Sequence, residues 1–503
     1  MPLPAFRSAV LGLAGAALVA FLPAREFTVA AFNVENLCDL DGRAVFEEYS
    51  PAHYGAPQLL TKVTNLAAVV QRIGDGHGPD LLLLNEIEID QTPSAQPADC
   101  RALLQRHRGR TVADLLAHVT PEIADLPAEF FLLKALEERG LTGYTLVAGG
   151  DQPSPAGSEH PNSQKSAVLT RFPVLETRMH PTAGARQIIE VKVAVDGAPL
   201  FLFCNHWKSG ASDPATEPLR IANARVLRAR IDEILAADPH ADIILGGDFN
   251  SQYNQRQRYH ATMQETALND VLGSQGNELA IRGPDRALYN LWYELPPAQR
   301  GSDVYHDEWG TLIQLIVSRG LYDFRGVQYV DNSFAVAKYP GLNADATGRP
   351  MRWENGGSGS GVSDHFPVYA RFRTVSDNAP DRWLALGPPP GKEEAVAQTT
   401  RIDYAAIDLA EVALAEAQIP AGADLQDGSW NRRILRVKAM VVGARPFRIE
   451  FHGQVWEVFV PDPALRSEIW NAHRTGQAIR FYGEIGNYKG RWQFVVQDRS
   501  WLK

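Results

Sequence analysis

The chain has 503 residues, a length that exceeds what one compact core usually holds and predicts two or three domains. An apolar content of 45% and a charged content of 21% are those of an ordinary soluble globular protein. The net charge of −10 argues against a protein that binds nucleic acid over its whole surface.

The N-terminus has the pattern of an export signal. Arg7 precedes an apolar run at 8–22, and Pro23 and Ala24 follow it. The run is short for a membrane span, which needs about 20 residues. We expect residues 1–24 to be a signal peptide and the protein to be secreted or periplasmic, with no stable membrane insertion after cleavage. An uncleaved anchor and a buried N-terminal helix are the alternatives.

After the signal, strand-like and helix-like patterns alternate along the chain. The predicted elements are a strand at 27–36, a helix at 59–73, strands at 80–88, 144–148, 166–170, 188–195 and 200–204, a helix at 219–236, and strands at 243–245, 312–318 and 368–372. Strands that form hairpins and also alternate with helices favour an α/β fold in which two sheets lie between helical layers.

The C-terminal part differs in pattern and in charge. Residues 375–427 include a Pro/Gly-rich stretch at 387–391 and a helical stretch at 393–418, which predict a linker and a helical bridge. Residues 428–503 contain 13 Lys and Arg against 6 Asp and Glu, a net of +7, whereas the rest of the chain has −17. Such an asymmetry favours an appended binding module. Five short strands from residue 434 onward and a helix at 463–473 resemble a small OB-fold barrel.

Five polar motifs end or interrupt the predicted strands of the region 25–374. They are Phe32-Asn33-Val34-Glu35-Asn36, Leu84-Asn85-Glu86, Asn205-His206-Trp207-Lys208-Ser209, Gly247-Asp248-Phe249-Asn250 and Ser363-Asp364-His365. Polar groups at strand ends are exposed at a sheet edge and could converge on one pocket. They offer carboxylates for a hard cation, histidines for proton transfer and amides for phosphate oxygens.

The motifs and their order resemble the endonuclease/exonuclease/phosphatase superfamily, which has a deoxyribonuclease-I-like fold. The resemblance covers about residues 27–373 and implies a four-layer α/β sandwich and a Mg²⁺ (or Mn²⁺) cofactor. It assigns the metal to Glu86, with Asn33 and Asp364 assisting. It also implies that Asp248 and His365 activate water, that Asn250 and His206 contact the phosphate, and that Asn205 binds substrate.

One residue departs from the family pattern. The strand before the last motif usually carries an Asp that orients the catalytic His, and Ile313 stands at that position. The orienting carboxylate then comes from elsewhere, with Asp303, Asp307 and Glu308 as candidates, or the base is less well held. Cys38 and Cys100 could form a disulfide in an exported protein, whereas Cys204 has the setting of a buried core thiol.

These observations predict an exported, metal-dependent phosphodiesterase, most consistent with a nuclease that acts on DNA or RNA. The alternatives are the same chemistry on a phospholipid or inositol phosphate, and a non-catalytic binding protein with a decayed site. The basic excess and five tryptophans after residue 428 favour nucleic acid. Lys489 and Arg491, in the turn 487–491, are the predicted contacts there, and no protein partner is inferred.

Overall fold

The computed structural model describes residues 25–43, 46–91, 99–152, 162–283, 287–353, 361–388, 400–488 and 490–503. The predicted signal peptide, most of the stretch at 389–399 between the two folded regions, and Lys489 lie outside these ranges. None of the helices in the described ranges has the length and hydropathy needed to cross a bilayer.

The first folded region, through Trp383, contains most of the secondary structure. In chain order its helices and strands are β1 Glu26–Leu37, α1 Ala56–Arg72, β2 Leu81–Glu88, α2 Cys100–Arg106, α3 Val112–Leu116, α4 Pro121–Ala124, α5 Ala128–Glu138, β3 Thr145–Ala148, β4 Gln164–Thr170, β5 Val174–His180, β6 Ile188–Val195, β7 Ala198–His206, α6 Glu217–Ala237, β8 Asp242–Asp248, α7 Gln255–Arg258, β9 Ser274–Gln275, β10 Leu288–Asn290, β11 Asp303–Tyr305, β12 Glu308–Gly310, β13 Ile313–Val317, β14 Asp323–Tyr329, β15 Ala335–Val336 and β16 Val368–Trp383.

Two sheets of seven strands form the centre of this region. The first has the order β14-β16-β1-β2-β4-β3, with β15 also paired to β16. The second has the order β5-β6-β7-β8-β13-β10-β9. In each sheet the strands that carry the polar motifs lie side by side and parallel, β1 beside β2 and β7 beside β8. Parallel neighbours bring their carboxyl ends to the same edge, and the motifs therefore meet.

Strand β1 shows how the layers are held together. Its alternate residues Phe27, Val29 and Ala31 face the core between the two sheets, whereas Ala30 and Phe32 face the core that α1 and α5 cover. A third core packs α6 against the outer face of the second sheet. Because both faces of the central strands are covered, their sequences are apolar throughout. The predicted four-layer α/β sandwich is confirmed.

The end of the sandwich lies further along the chain than the predicted boundary at residue 374. β16 continues to Trp383, pairing with β14 as far as Asp323, and Trp383, Leu384 and Leu386 pack against the inter-sheet core. The polar sequence of the strand's second half conceals this extension, since that half is largely exposed at the sheet surface.

The C-terminal region is a closed five-stranded barrel. Its elements are α8 Leu409–Val412, β17 Ile434–Ala444, β18 Phe447–Phe451, β19 Gln454–Phe459, α9 Pro463–Ala472, β20 Ala478–Tyr488 and β21 Arg491–Val495. The strands close in the order β17-β18-β19-β21-β20, with β17 paired to β20 and the helix between the third and fourth strands. A five-stranded barrel with this strand order and helix position is OB-fold-like, as the sequence predicted.

The predicted linker is in large part a component of the barrel. Tyr404, Ile419 and Leu425 are buried in the barrel core, and the indole of Trp501 donates to the carbonyl oxygen of Tyr404 at 3.0 Å. The long helical bridge predicted at 393–418 is wrong for the described residues 400–418, which form only short turns and α8. Their apolar side chains, such as Tyr404 and Ala413, belong to the barrel core.

The tryptophans of the barrel belong to its core. Trp456 and Trp501 are fully buried, and Trp430, Trp470 and Trp492 are partly buried against the same cluster. They do not present the open faces on which bases stack, so the sequence argument from tryptophan does not hold. The exposed aromatic side chains on the barrel are Tyr488 and Phe459, at 62% and 38% exposure.

The three cysteines are buried free thiols. Cys38 and Cys100 do not form the disulfide considered above, whereas Cys204 lies in the inter-sheet core as predicted.

Candidate active site

The polar motifs of both sheets converge on the side chain of Asn33. Its amide nitrogen donates to Glu86 Oε1 at 2.9 Å and to Asp248 Oδ2 at 3.0 Å. Asn33 and Glu86 come from the first sheet and Asp248 from the second, so one buried amide joins the two carboxylates across the sandwich. Asn85 reinforces the junction, because its side chain donates to the carbonyl oxygen of Asn205 and accepts from the amide of Asp248.

The backbone at three of the motifs is in the left-handed region. Glu35, Glu86 and Asn250 have φ angles of 48°, 64° and 45°. The pairing of β2 with β4 shifts register between Leu84 and Ile87, which is a bulge at Glu86. A bulge redirects a side chain that simple alternation would place elsewhere. Non-glycine residues in this conformation are uncommon and concentrate at functional sites.

Glu86, His206 and Asp248 form a group able to hold a cation. One ligand atom from each lies within 4.8 Å of the others. His206 is 2% exposed, and burial, together with the nearby Arg186 and His365, lowers its pKa well below the usual value. A neutral imidazole is the form that binds metal. Burial and the Asp364 carboxylate raise the pKa of Glu86, as expected for carboxylates gathered without a counter-ion.

His365 also lies near Asp248, and it approaches the same carboxylate oxygen as His206 does. Its Nδ1 is 2.7 Å from Asp364 Oδ1, and its Nε2 is 3.8 Å from Asp248 Oδ2. Burial works to lower the pKa of His365, but the carboxylates of Asp364, Asp248 and Asp303 outweigh it and raise that pKa well above the usual value. Its Nε2 makes no hydrogen bond within the described part of the chain, which leaves that atom available to a substrate or a water molecule.

In the Gly247–Asn250 motif, one carboxylate oxygen of Asp248 forms a turn and the other faces the site. Asp248 Oδ1 accepts from the backbone amide of Asn250 at 2.8 Å, which is the Asx turn that a purely structural interpretation predicts. The other oxygen, Oδ2, faces Asn33 and His365. Gly247 has φ 116°, and a Cβ there would lie 2.2 Å from the carbonyl oxygen of Asn205, so only glycine fits.

Several predicted site residues are placed differently from expectation. Asn205 is fully buried, and its amide is used by backbone carbonyls and by the indole of Trp207, which gives it a supporting role instead of substrate contact. The carboxylate of Asp364 holds His365 and lies outside the cation-binding group. Arg491 is exposed on the barrel, and Lys489 lies outside the described residues.

The structure also shows which carboxylates can orient His365. Asp364 is bonded directly to Nδ1, and Asp303 forms a backbone bridge with His365 while its Oδ1 accepts from Ser302 Oγ and the amide of Leu312. Asp307 bonds the hydroxyl of Tyr404 instead, at 2.8 Å. Ile313 is fully buried in the inter-sheet core. Of these carboxylates, Asp364 is the one whose oxygen contacts the His365 ring, whereas Asp303 contacts the His365 backbone and acts on the ring through its charge.

Three charged residues near the site were not identified from the sequence. Glu35 accepts from Arg352 and from the amide of Trp353, and it lies close enough to Asp364 to be affected by its charge. The buried Lys62 donates to the carbonyl oxygens of Glu35 and Val362, joining the end of β1 to the His365 loop. Arg186 lies near Glu86 and Asp248. Glu35 stands inside the first motif, but no local pattern marks the other two.

A cleft of about 970 Å³ opens from the site towards the barrel. Asn250, Asp303, Asp364 and His365 line its catalytic end. Its remaining wall includes four arginines, Arg258, Arg349, Arg352 and Arg432. Arg432 belongs to the segment that leads into β17, so the barrel region forms part of the wall. The wall also carries Asp213, Asp307 and Glu308, and each of the four arginines lies within 4 Å of a carboxylate oxygen, so the cleft is lined by charges of both signs.

Comparison with known proteins gives a match over part of the sandwich. Residues 168–374 match the model of the endonuclease/exonuclease/phosphatase family. No curated protein matches the chain.

Several solved structures are similar in fold. Truncated TDP2 from Caenorhabditis elegans is 16% identical, covers 70% of this chain and 98% of its own, and has a TM-score of 0.38. A family protein from Bacteroides thetaiotaomicron is 14% identical, with coverages of 70% and 96% and a TM-score of 0.39. D. rerio TDP2, complexed with a single-strand DNA product, is 14% identical, with coverages of 69% and 98% and a TM-score of 0.37. The family match at residues 168–374, together with the site and the sandwich described above, supports placing this region in the endonuclease/exonuclease/phosphatase superfamily, and an OB-fold-like barrel follows it in the chain.

Proposed function

We propose that this chain is an exported, divalent-metal-dependent nuclease that hydrolyses phosphodiester bonds in nucleic acid. Members of the family are in general phosphoric-ester hydrolases. The observation that carries the proposal is the junction at Asn33, where Glu86 and Asp248 are held together beside two histidines at the end of an arginine-lined cleft.

The residues at this junction fit a divalent cation. Glu86, Asp248 and His206 supply oxygen and imidazole ligands within 4.8 Å, burial keeps the pKa of His206 low, and its Nε2 faces both carboxylates. A Mg²⁺ or Mn²⁺ ion held there would neutralise negative charge on the phosphate and on the carboxylates of Glu86 and Asp248.

The protein's own groups supply proton transfer and positioning. His365 Nε2, held by Asp364 at Nδ1, accepts a proton from the attacking water, and Asp248 Oδ2 lies 3.8 Å away to stabilise the imidazolium that forms. Asn250 lines the cleft beside His365 and donates one amide N–H to the carbonyl oxygen of Trp207 at 3.0 Å, and we expect its other N–H to contact a phosphate oxygen. Arg186, near Glu86 and Asp248, adds a positive charge at the same end.

The barrel favours a long polyanion as the substrate. Lys438 on β17 and Arg480 on β20 are exposed and lie directly opposite one another in the ladder. Like charges in directly opposed positions destabilise a sheet, and a bound phosphate chain would relieve their repulsion. Arg436 and Lys503 extend the same basic surface. Together with Arg432 in the cleft wall, these residues provide the positive charge that the acidic sandwich lacks.

Export is supported by the pattern at residues 1–24 alone. Fractionation of cells that express the full chain, with N-terminal sequencing of the released protein, tests this part of the proposal. Protein retained in the cytosol with an intact N-terminus would refute it.

A substrate panel tests the chemistry. The chain without its first 24 residues is incubated with single- and double-stranded DNA, RNA, phospholipid vesicles and inositol phosphates, each with Mg²⁺, Mn²⁺ or excess chelator. We expect cleavage of nucleic acid that requires metal and that Asp248→Asn or His365→Ala lowers by on the order of 10²–10⁴. Asp75→Asn, in an exposed turn, is the matched control. Hydrolysis of only a lipid or inositol substrate would replace the nuclease proposal, and full activity in chelator would refute the metal requirement.

A further inference from the structure

A second group of carboxylates lies behind the candidate active site. Asp39 and Asp41 follow the end of β1, and Glu88 is the last residue of β2. One carboxylate oxygen from each of the three lies within 4.8 Å of the others. Asp39 and Glu88 are 5% and 4% exposed, so two of the three charges are almost entirely removed from water.

The hydrogen bonds of the group leave one buried oxygen unused. Asp39 Oδ1 accepts from the amide of Asp41 at 2.9 Å, and Glu88 Oε2 accepts from the amide of Asp39 at 2.9 Å. Asp39 Oδ2 has no hydrogen-bond partner in the described part of the chain, although it is buried. A buried carboxylate oxygen without a donor is costly, because it has lost water and gained nothing in exchange.

Neighbouring cations do not neutralise this group. In the described ranges, no Lys, Arg or His nitrogen lies within 4 Å of a carboxylate oxygen of Asp39, Asp41 or Glu88. Lys165, whose charge acts on Glu88, has its ammonium group 2.9 Å from Glu129 Oε1 and is paired there. Among the described residues, the three carboxylates therefore share a small volume without a directly paired protein cation.

We propose that Asp39, Asp41 and Glu88 form a second cation site, distinct from the one at Glu86, and that it takes Ca²⁺. Ca²⁺ accepts several carboxylate oxygens in irregular geometry, whereas Mg²⁺ retains most of its water and prefers one or two carboxylates. The ion would fasten the segment after β1 to the end of β2. Those are the strands that carry Asn33 and Glu86, so the site has a structural role in holding the catalytic edge.

Calcium binding is measured on the chain without its first 24 residues, with the catalytic group disabled by Glu86→Gln and Asp248→Asn. Isothermal titration with CaCl₂ should give about one ion per chain, the stoichiometry of a single carboxylate cage. Adding Asp39→Asn should abolish that binding, while Asp75→Asn should leave it unchanged. The melting temperature should rise with Ca²⁺ in the first protein and not in the Asp39→Asn protein.

A second measurement avoids any change in the new site. Tyr54, whose hydroxyl donates to the carbonyl oxygen of Cys38 at 3.2 Å, lies beside the group. Tb³⁺ bound there should emit on excitation of tyrosine, and CaCl₂ should displace it. The absence of Ca²⁺ binding and of sensitised emission would overturn the proposal, as would binding that survives Asp39→Asn. Neither outcome depends on whether the protein hydrolyses a phosphodiester, so the two proposals fail independently.

Discussion

Arg349 is the central contact between the sandwich and the barrel, and its removal should be costly. Its guanidinium is 3.0 Å from Asp345 Oδ2 and also bonds Glu484 on β20. Asp345 and Glu484 are 4% and 5% exposed at their side chains, and their charges raise the pKa of Arg349 above its usual value. Arg349→Met leaves both carboxylates buried without their principal counter-ion, a change that typically costs about 3–5 kcal/mol.

The assay is urea unfolding followed by tryptophan fluorescence, since Trp456 and Trp501 report on the barrel core. Arg499→Met is the matched control, because it breaks an exposed ion pair with Glu468 and should change stability little. The double variant Arg349→Met/Glu484→Gln should lose less free energy of unfolding than the sum of the two single variants, since Glu484→Gln removes a charge that Arg349→Met leaves unpaired. If Arg349→Met is no more destabilising than Arg499→Met, the barrel is not docked by this ion pair and the reasoning is refuted.

Four further outcomes are expected. Ile313→Asp should lower the melting temperature without raising activity, since the new carboxylate is buried in the inter-sheet core. Asp303→Asn should lower kcat by on the order of 10²–10⁴ if Asp303 helps to hold His365. Burial works to raise the pKa of Glu190, but hydrogen bonds from His180 and Arg230 hold that pKa at about 2, below the ordinary 4.5. The contribution of Glu190 to stability should therefore be complete above pH 4.5 and lost as the pH falls towards 2. In calorimetry from pH 6 to 2, the melting temperature of Glu190→Gln should fall less steeply with pH than that of the unchanged protein. A fragment spanning 400–503 should fold and bind single-stranded oligonucleotides with a steep salt dependence, whereas 428–503 should be unfolded by circular dichroism because it lacks Tyr404, Ile419 and Leu425.

The layered fold was predictable because apolar runs and amphipathic spacing persist through most of the sandwich. The helix predicted at 59–73 is α1 Ala56–Arg72, and the strands predicted at 188–195 and 200–204 are β6 and β7 with small shifts at the ends. The second half of β16 was missed because its side chains are polar and exposed, which gives a strand no apolar signature. The barrel was predictable from its alternation, but residues 400–427, which complete its core, have no alternating apolar pattern, and their many Ala and Leu residues suggested a helix.

The site was predictable only where polar residues interrupt apolar strands. Glu86, Asp248 and His365 are marked by such interruptions, and the structure brings them together. Arg186 and Lys62 have no such mark, since the first lies in a loop and the second in an amphipathic helix, and only the three-dimensional arrangement places them near the site. The orientation of Asn205 was not predictable, because a strand-end amide can face the pocket or its own backbone, and the sequence does not distinguish the two.

The division of the site between two sheets has a mechanical consequence. Asn33 bonds Glu86 in its own sheet and Asp248 in the facing one, so the separation of the two carboxylates is set by the thickness of the apolar layer beneath them. A smaller side chain in that layer, such as Leu83→Ala in the core that also contains Leu315, would change the separation of the two carboxylates without contacting the pocket. The packing of the sandwich interior therefore sets the separation of Glu86 and Asp248. If the pocket binds a cation as proposed, its affinity would change when the packing of the two sheets changes.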